Sequence, residues 1–255
     1  MNPSSILIDF VVEFDSASNL HACFQVLERS VEKLGFLGLV YSLIPIGLNA
    51  LANDSPVFLA SSKFSLPFLN HYLAGNFAAD DFTIKRLFKG DLTVNDWWAE
   101  ERKGTLLARE KHVIEVAKTD YHITNGISIP LLSTPQHIAG ASVISEENTS
   151  HFSMLLEERL LMLQTIIKLF HHRVYGDIEY RKAFYVPLIS KLTEREKRVL
   201  HFTGSGQAYK AIGNNYGMTA SSASNARSDL FKKLEVKNVS ELAYITGLHN
   251  LLEMI

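Results

Sequence analysis

The order of hydrophobic patterns predicts an α+β fold: an N-terminal α/β/α sandwich around an antiparallel sheet, then a small all-α helix-turn-helix domain. Three observations carry that expectation. Residues 1–175 read α, β, β, α, α, α, β, β, α, which lacks the strict alternation of a doubly wound parallel sheet. Residues 176–189 are polar and charged, with Gly176 and Pro187 as breakers, and read as a linker between a unit at 1–175 and one at 190–255. Charge divides the same way, with 14 Lys and Arg against 19 Asp and Glu in 1–175 (net -5) and 9 against 6 in 190–255 (net +3). A basic C-terminal unit following an acidic one is a hint of nucleic-acid contact.

Composition narrows the class. At 255 residues, 47% hydrophobic and 20% charged, the chain has the make-up of an ordinary folded protein. Its single cysteine, Cys23, excludes an intramolecular disulfide and a Cys-based zinc cage and fits a reducing, cytoplasmic setting. Met1 to Phe14 is apolar but broken by Asp9 and Glu13 and lacks a basic start, and no apolar run approaches 18 residues. Neither secretion nor a membrane span is expected.

The elements follow in order. Ser16 is a candidate cap for a helix with apolar residues Leu20, Cys23, Phe24, Leu27, Val31 and Leu34, stopped by Gly35. FLGLVYSLIPI from Phe36 and PVFLAS from Pro56 read as strands, as do GISIPLL from Gly126 and HIAGASVIS from His137, joined by a Ser-Thr-Pro-Gln turn. Phe64 to Lys89 and Thr105 to Lys118 have helical spacing. The 151–173 helix is apolar beyond one narrow stripe, so it is either buried in its own domain or presents a face to a second subunit. In the C-terminal unit, Thr193 and Glu196 form a capping box before Val199, Leu200 and Phe202. Gly204 to Gly206 ends that helix, Ala208, Ala211 and Ile212 suggest a short second one, and Thr219 caps a third. Ala223, Ala226, Leu230, Phe231 and Leu234 form the inner face of the third, with Ser221, Ser222, Asn225, Arg227, Ser228, Lys232 and Lys233 outside. Small polar side chains let such a helix approach base edges, Asn and Arg offer bidentate hydrogen bonds, and Lys offers charge to phosphates; a bundle with a solvated basic face is the other reading.

The runs LTEREKRVL, GQAYKAIGNNYGMT and DLFKKLEVKNVSELA resemble the C-terminal DNA-binding domain of LuxR-type transcription regulators over 190–250. The resemblance implies a supporting helix at 207–216 and a recognition helix at about 219–233. Thr219, Ser221, Ser222, Asn225 and Arg227 would then contact bases, and Lys210, Lys232 and Lys233 phosphates. Ala211, Ala223 and Ala226 depart from the family pattern of Glu, Val and His. FLNHYLAGNFAADDF at 68–82, WW at 97–98 and GISIP at 126–130 resemble the autoinducer-binding domain of LuxR-type quorum-sensing receptors. Carried over, Tyr72, Asp81 and Trp97, with Trp98 the alternative, would hold the head group of an N-acyl-homoserine lactone, and Ser142 its amide region. Phe68 stands where the family has Trp and Phe82 where it has Pro, and Phe cannot donate a hydrogen bond.

The resemblance implies a dimer, homodimeric or paired with another subunit, that binds double-stranded DNA and a small hydrophobic signal. A ligand-independent regulator with a vestigial pocket is the alternative. Catalysis is not expected. The chain has no GxSxG, HExxH, Walker or GxGxxG motif, and the adjacent His171 and His172 point about 100° apart on a helix. No cofactor or metal is expected.

Overall fold

The computed structural model describes residues 3–48, 57–204, 211–212 and 216–255. Its sheet has five strands in the order β2-β1-β5-β4-β3: β1 (Gly38–Pro45), β2 (Phe58–Ala60), β3 (Asn95–Asp96), β4 (Asn125–Ser133) and β5 (His137–Ser145). Every pairing is antiparallel. Helices α1 (Pro3–Ser16), α2 (Leu20–Lys33) and α7 (Thr149–Gly176) cover one face, and α3 (Leu66–Ala74), α4 (Phe82–Phe88), α5 (Trp97–Arg102) and α6 (Ala108–Thr119) the other. The expected sandwich is therefore present.

Alternation along the strands builds the two layers. Leu39, Tyr41 and Leu43 of β1 and Val143 of β5 join the core under α2 and α7, while Val40, Ile44, Ile138 and Ile144 point to the α3–α6 side. A sheet covered on both faces buries both residue sets, which is why β1 reads as a continuous apolar run.

Four details differ from the sequence reading. Residues 3–16 form α1, and Ser16 closes it instead of opening the next helix, whose cap is Asn19 accepting from Ala22 N. The helical spacing over 64–89 resolves into α3 and α4, separated at Gly75 and at Asn76, which has φ 51°. A two-residue strand, β3, precedes Trp97. The 176–189 segment, read as a linker, carries two short helices that the sequence reading did not include, α8 (Ile178–Lys182) and α9 (Val186–Ile189), with Phe184 and Tyr185 buried between them.

The C-terminal unit comprises α10 (Glu194–Gly204), α11 (Ala220–Lys233), α12 (Val239–Leu248) and α13 (Leu251–Met254), around Val199, Leu200, Phe202, Leu230 and Leu242. Most of the expected supporting helix lies outside the described residues, though Ile212 is buried in this core. No described helix is long and apolar enough to cross a membrane.

Candidate functional site

Between the sheet and helices α3–α6 lies a cavity of about 110 Å³, walled mostly by apolar side chains such as Val40, Phe58, Phe68, Phe82 and Val113. Its polar groups are few and converge, the usual composition of a small-molecule site. Asp81 reaches it as the N-cap of α4: Oδ1 accepts from Thr83 N and Thr83 Oγ1, both at 2.7 Å, and Oδ2 accepts from the Tyr72 hydroxyl at 2.8 Å. Burial, with the neighbouring Asp81 charge, raises the Tyr72 pKa well above its ordinary value, so Tyr72 stays a hydroxyl donor.

On the sheet side, the Trp97 indole N–H donates to Ser128 Oγ at 2.9 Å, and Ser128 shares a 2.8 Å hydrogen bond with Ser142. Cross-strand register puts these hydroxyls together: Ser142 of β5 lies opposite Ser128 of β4, which lies opposite Asn95 of β3, and all three line the cavity. Asn95 is held by Arg86, whose guanidinium also binds Glu100 at 2.7 Å and covers the Phe82 ring at 5.1 Å. Gly126 makes room for Trp97: a Cβ there would collide with the indole ring. No metal-ligating cluster occurs among the described residues.

Tyr72, Asp81, Trp97, Phe68 and Ser142 all line the one cavity, with Phe82 beside them. Trp98 does not; its N–H donates to the Thr124 carbonyl and Lys118 covers its ring. Phe68 packs edge-on to Tyr72 and against Tyr121. Sequence reading missed Thr83, Asn95, Ser128 and the steric role of Gly126. The signal for Ser128 was available: it and Ser142 each interrupt an apolar strand at a position of the same parity as the cavity-facing residues.

In the C-terminal unit, Thr219 caps α11 by accepting from Ser222 N at 3.1 Å. Thr219, Ser221, Asn225 and Lys232 are exposed, Ser222 and Arg227 half-buried, and the Arg227 guanidinium lies 5.9 Å from the Phe231 ring centroid. Ala223, Ala226 and Leu230 are buried, so the two alanines fill tight core positions. Lys233 faces inward, donating to Glu196 Oε2 at 2.8 Å and the Lys191 carbonyl at 2.6 Å. Burial works against the Glu196 charge, but Lys233 and the Thr193 amide outweigh it and hold the carboxyl below the usual range. Lys210 lies outside the described residues.

Comparisons with known proteins bear on both halves. Residues 19–174 match the model of the autoinducer binding domain, and residues 190–246 that of the bacterial regulatory proteins of the luxR family. No curated relative matches the sequence. Among solved structures, SdiA of Escherichia coli is 14% identical with a TM-score of 0.53, over 98% of this chain and 99% of SdiA. SdiA in complex with octanoyl-rac-glycerol is likewise 14% identical, with a TM-score of 0.54 over 99% of this chain and 97% of that one. At that identity the likeness shows the fold. The two family matches, in sequence order and covering both halves, show that the chain belongs to the LuxR family of bacterial regulatory proteins, with an autoinducer-binding domain preceding the helix-turn-helix domain.

Proposed function

We propose that the protein is a dimeric, sequence-specific transcription regulator of quorum sensing whose sensor cavity binds a small apolar signal, an N-acyl-homoserine lactone or a related acyl compound. The observation that carries this reading is the convergence of Tyr72, Asp81, Trp97, Ser128 and Ser142 in an otherwise apolar cavity. Asp81 accepts three hydrogen bonds and retains acceptor capacity for a ligand N–H or O–H, and the hydroxyls and indole can turn to carbonyl oxygens. A free fatty acid fits poorly, because its carboxylate would face that of Asp81. A neutral acyl amide or acylglycerol meets the same groups without that repulsion, and a solved structure of the neighbour SdiA is in complex with octanoyl-rac-glycerol.

At the other end, Thr219, Ser221, Ser222, Asn225 and Arg227 read base edges, and Lys232 contacts phosphate, as does Lys210. Lys233 is tied to Glu196, so its part in this reading is to seat α11 on α10. The exposed Met154 and Leu161 of α7 supply an apolar face for the second subunit.

One observation favours a second reading. The polar groups of the cavity already satisfy one another, as a vestigial, ligand-independent pocket requires. Thermal unfolding separates the two, with N-acyl-homoserine lactones of graded chain length and octanoylglycerol added at saturation. At about one hundred times its dissociation constant a ligand adds roughly 2.7 kcal/mol, a shift of a few degrees for a protein of this size. A rise that depends on chain length supports a sensor, and no rise with any compound supports the vestigial pocket.

A further inference from the structure

The polar groups of the cavity have few hydrogen-bonding positions left for a ligand. An indole N–H only donates, so Ser128 Oγ accepts from Trp97, and the bond between Ser128 and Ser142 uses one of their two hydroxyl hydrogens. One hydroxyl hydrogen of the pair remains for a ligand acceptor. Asn95 uses one amide hydrogen on the Thr93 carbonyl and accepts from Arg86, so its second amide hydrogen also remains. Ser42 donates its hydrogen to the Val57 carbonyl, and Tyr72 and Thr83 donate theirs to Asp81. Asp81 keeps acceptor capacity, chiefly on Oδ2, which takes one hydrogen bond where Oδ1 takes two.

These positions are unevenly placed. Ser142, Ser128 and Asn95 run in register across β5, β4 and β3, whereas the same row continues onto β1 and β2 as Val40 and Ala60. On the β2 side, Phe58, Tyr72, Phe68 and Phe64 make a continuous aromatic wall, with successive ring centroids 5.9, 6.0 and 6.5 Å apart. Three of these rings have no polar hydrogen, and that of Tyr72 is held by Asp81, so the wall offers a ligand no donor. A trans secondary amide points its N–H and its C=O in opposite directions, which suits a carboxylate on the helix layer facing a hydroxyl on the sheet. With its N–H on Asp81, the nitrogen substituent lies beside Tyr72, against the donor-free wall.

We infer that the cavity selects a fatty amide whose nitrogen substituent is a plain hydrocarbon, alkyl or aryl, over one whose substituent carries a carbonyl, as a lactone ring does. The inference rests on the cavity being the sensing site. A carbonyl buried against Phe58 and Phe68 gives up its bonds to water and meets no donor, whereas a hydrocarbon ring in the same place loses nothing and gains apolar contact.

The test is calorimetric titration of the full chain with N-octanoyl-homoserine lactone and with N-cyclopentyl octanamide, in which a hydrocarbon ring of the same size replaces the lactone. Wild type is expected to bind the cyclopentyl amide about ten- to one-hundred-fold more tightly. Any apolar site favours a hydrocarbon ring to some extent, so the deciding readout is the ratio of the two affinities in Phe68→Trp, which adds an indole N–H to the wall. That ratio is expected to fall by about tenfold. Should Phe68→Trp fail to fold, Phe68→Tyr adds a hydroxyl to a ring of the same shape. A lactone bound by wild type as tightly as the cyclopentyl amide, or a ratio unmoved by the added donor, would overturn the inference and leave the cavity standing as the sensing site. Binding of neither compound to wild type would overturn both.

Discussion

Gly126 and Trp97 act as a pair. The glycine has ordinary strand geometry, so its value is steric: the indole lies where a side chain at 126 would be, and that seat puts its N–H on Ser128. Gly126→Ala is expected to push Trp97 off Ser128 while leaving the fold in place. Tryptophan emission should shift to the red and signal affinity fall by about ten- to one-hundred-fold, the cost of one buried hydrogen bond left unmade; unchanged emission and affinity would refute the steric role. Residue-level legibility was uneven for physical reasons. Tyr72, Asp81 and Trp97 were recoverable because they come in the family's order. Trp97 and Trp98, adjacent at a helix start, could not be told apart, since which one faces the cavity depends on the entry of β3 into α5. Asn95 and Thr83 act through partners far apart or only two residues away, and neither leaves a pattern.

Helix α11 illustrates what an element adds to a list of charged residues. Its C-terminal turn passes through Glu235 at φ 54°, a left-handed conformation that favours glycine, with Val236 N bonded back to the Phe231 carbonyl. Glu235→Gly should therefore stabilise the C-terminal unit by about 0.5–1 kcal/mol, read as a higher urea midpoint. The two neighbouring lysines should behave differently. Lys232→Ala is expected to leave stability unchanged and lower the salt dependence of DNA binding by about one unit of slope. Lys233→Ala strands the nearly buried Glu196 and should lower the urea midpoint as well as DNA affinity. Equal stability of the two variants would show that the Lys233–Glu196 pair is not structural. At this scale the strands and long helices were legible from periodicity. Helix α1 was not, because Ile8, Val11 and Val12 are exposed on its outer face and blur the inward series Ile6, Phe10, Phe14. The junction helices α8 and α9 were hidden by polar composition, their order coming from tertiary anchoring of Phe184 and Tyr185.

At the scale of the whole molecule, buried neutral histidines lie in the N-terminal core and at its contact with the helical unit. Burial pushes the His137 and His171 pKa values down to about 4 and also lowers that of His249, whereas an unfolded histidine titrates near 6.5. The unfolded chain thus binds more protons in that window, and the stability present above pH 6.5 is lost as pH falls toward 4. Arg181, His172 and the histidines themselves face these groups and oppose their charging. The urea midpoint should fall from pH 7.5 to pH 5, and less steeply in His137→Gln; parallel slopes would contradict the assignment. The family was legible because both halves carry ordered motifs, but the buried hydrogen bonds of Tyr185 with His137 and His249 were not, since the three residues are far apart in sequence. Under the proposed function, a small acyl signal held at Asp81 governs DNA binding. The most direct measurement is the affinity of the full chain for DNA obtained by in vitro selection, with and without the lactone or acylglycerol that stabilises it most, in wild type and in Asp81→Asn. That variant preserves a capping oxygen for Thr83 and disrupts the acceptor facing Tyr72 and the ligand. The signal is expected to change wild-type affinity by about tenfold, in the usual range of coupling energies, and to leave Asp81→Asn unmoved. Equal affinities with and without signal in wild type, or an undiminished response in Asp81→Asn, would contradict the claim.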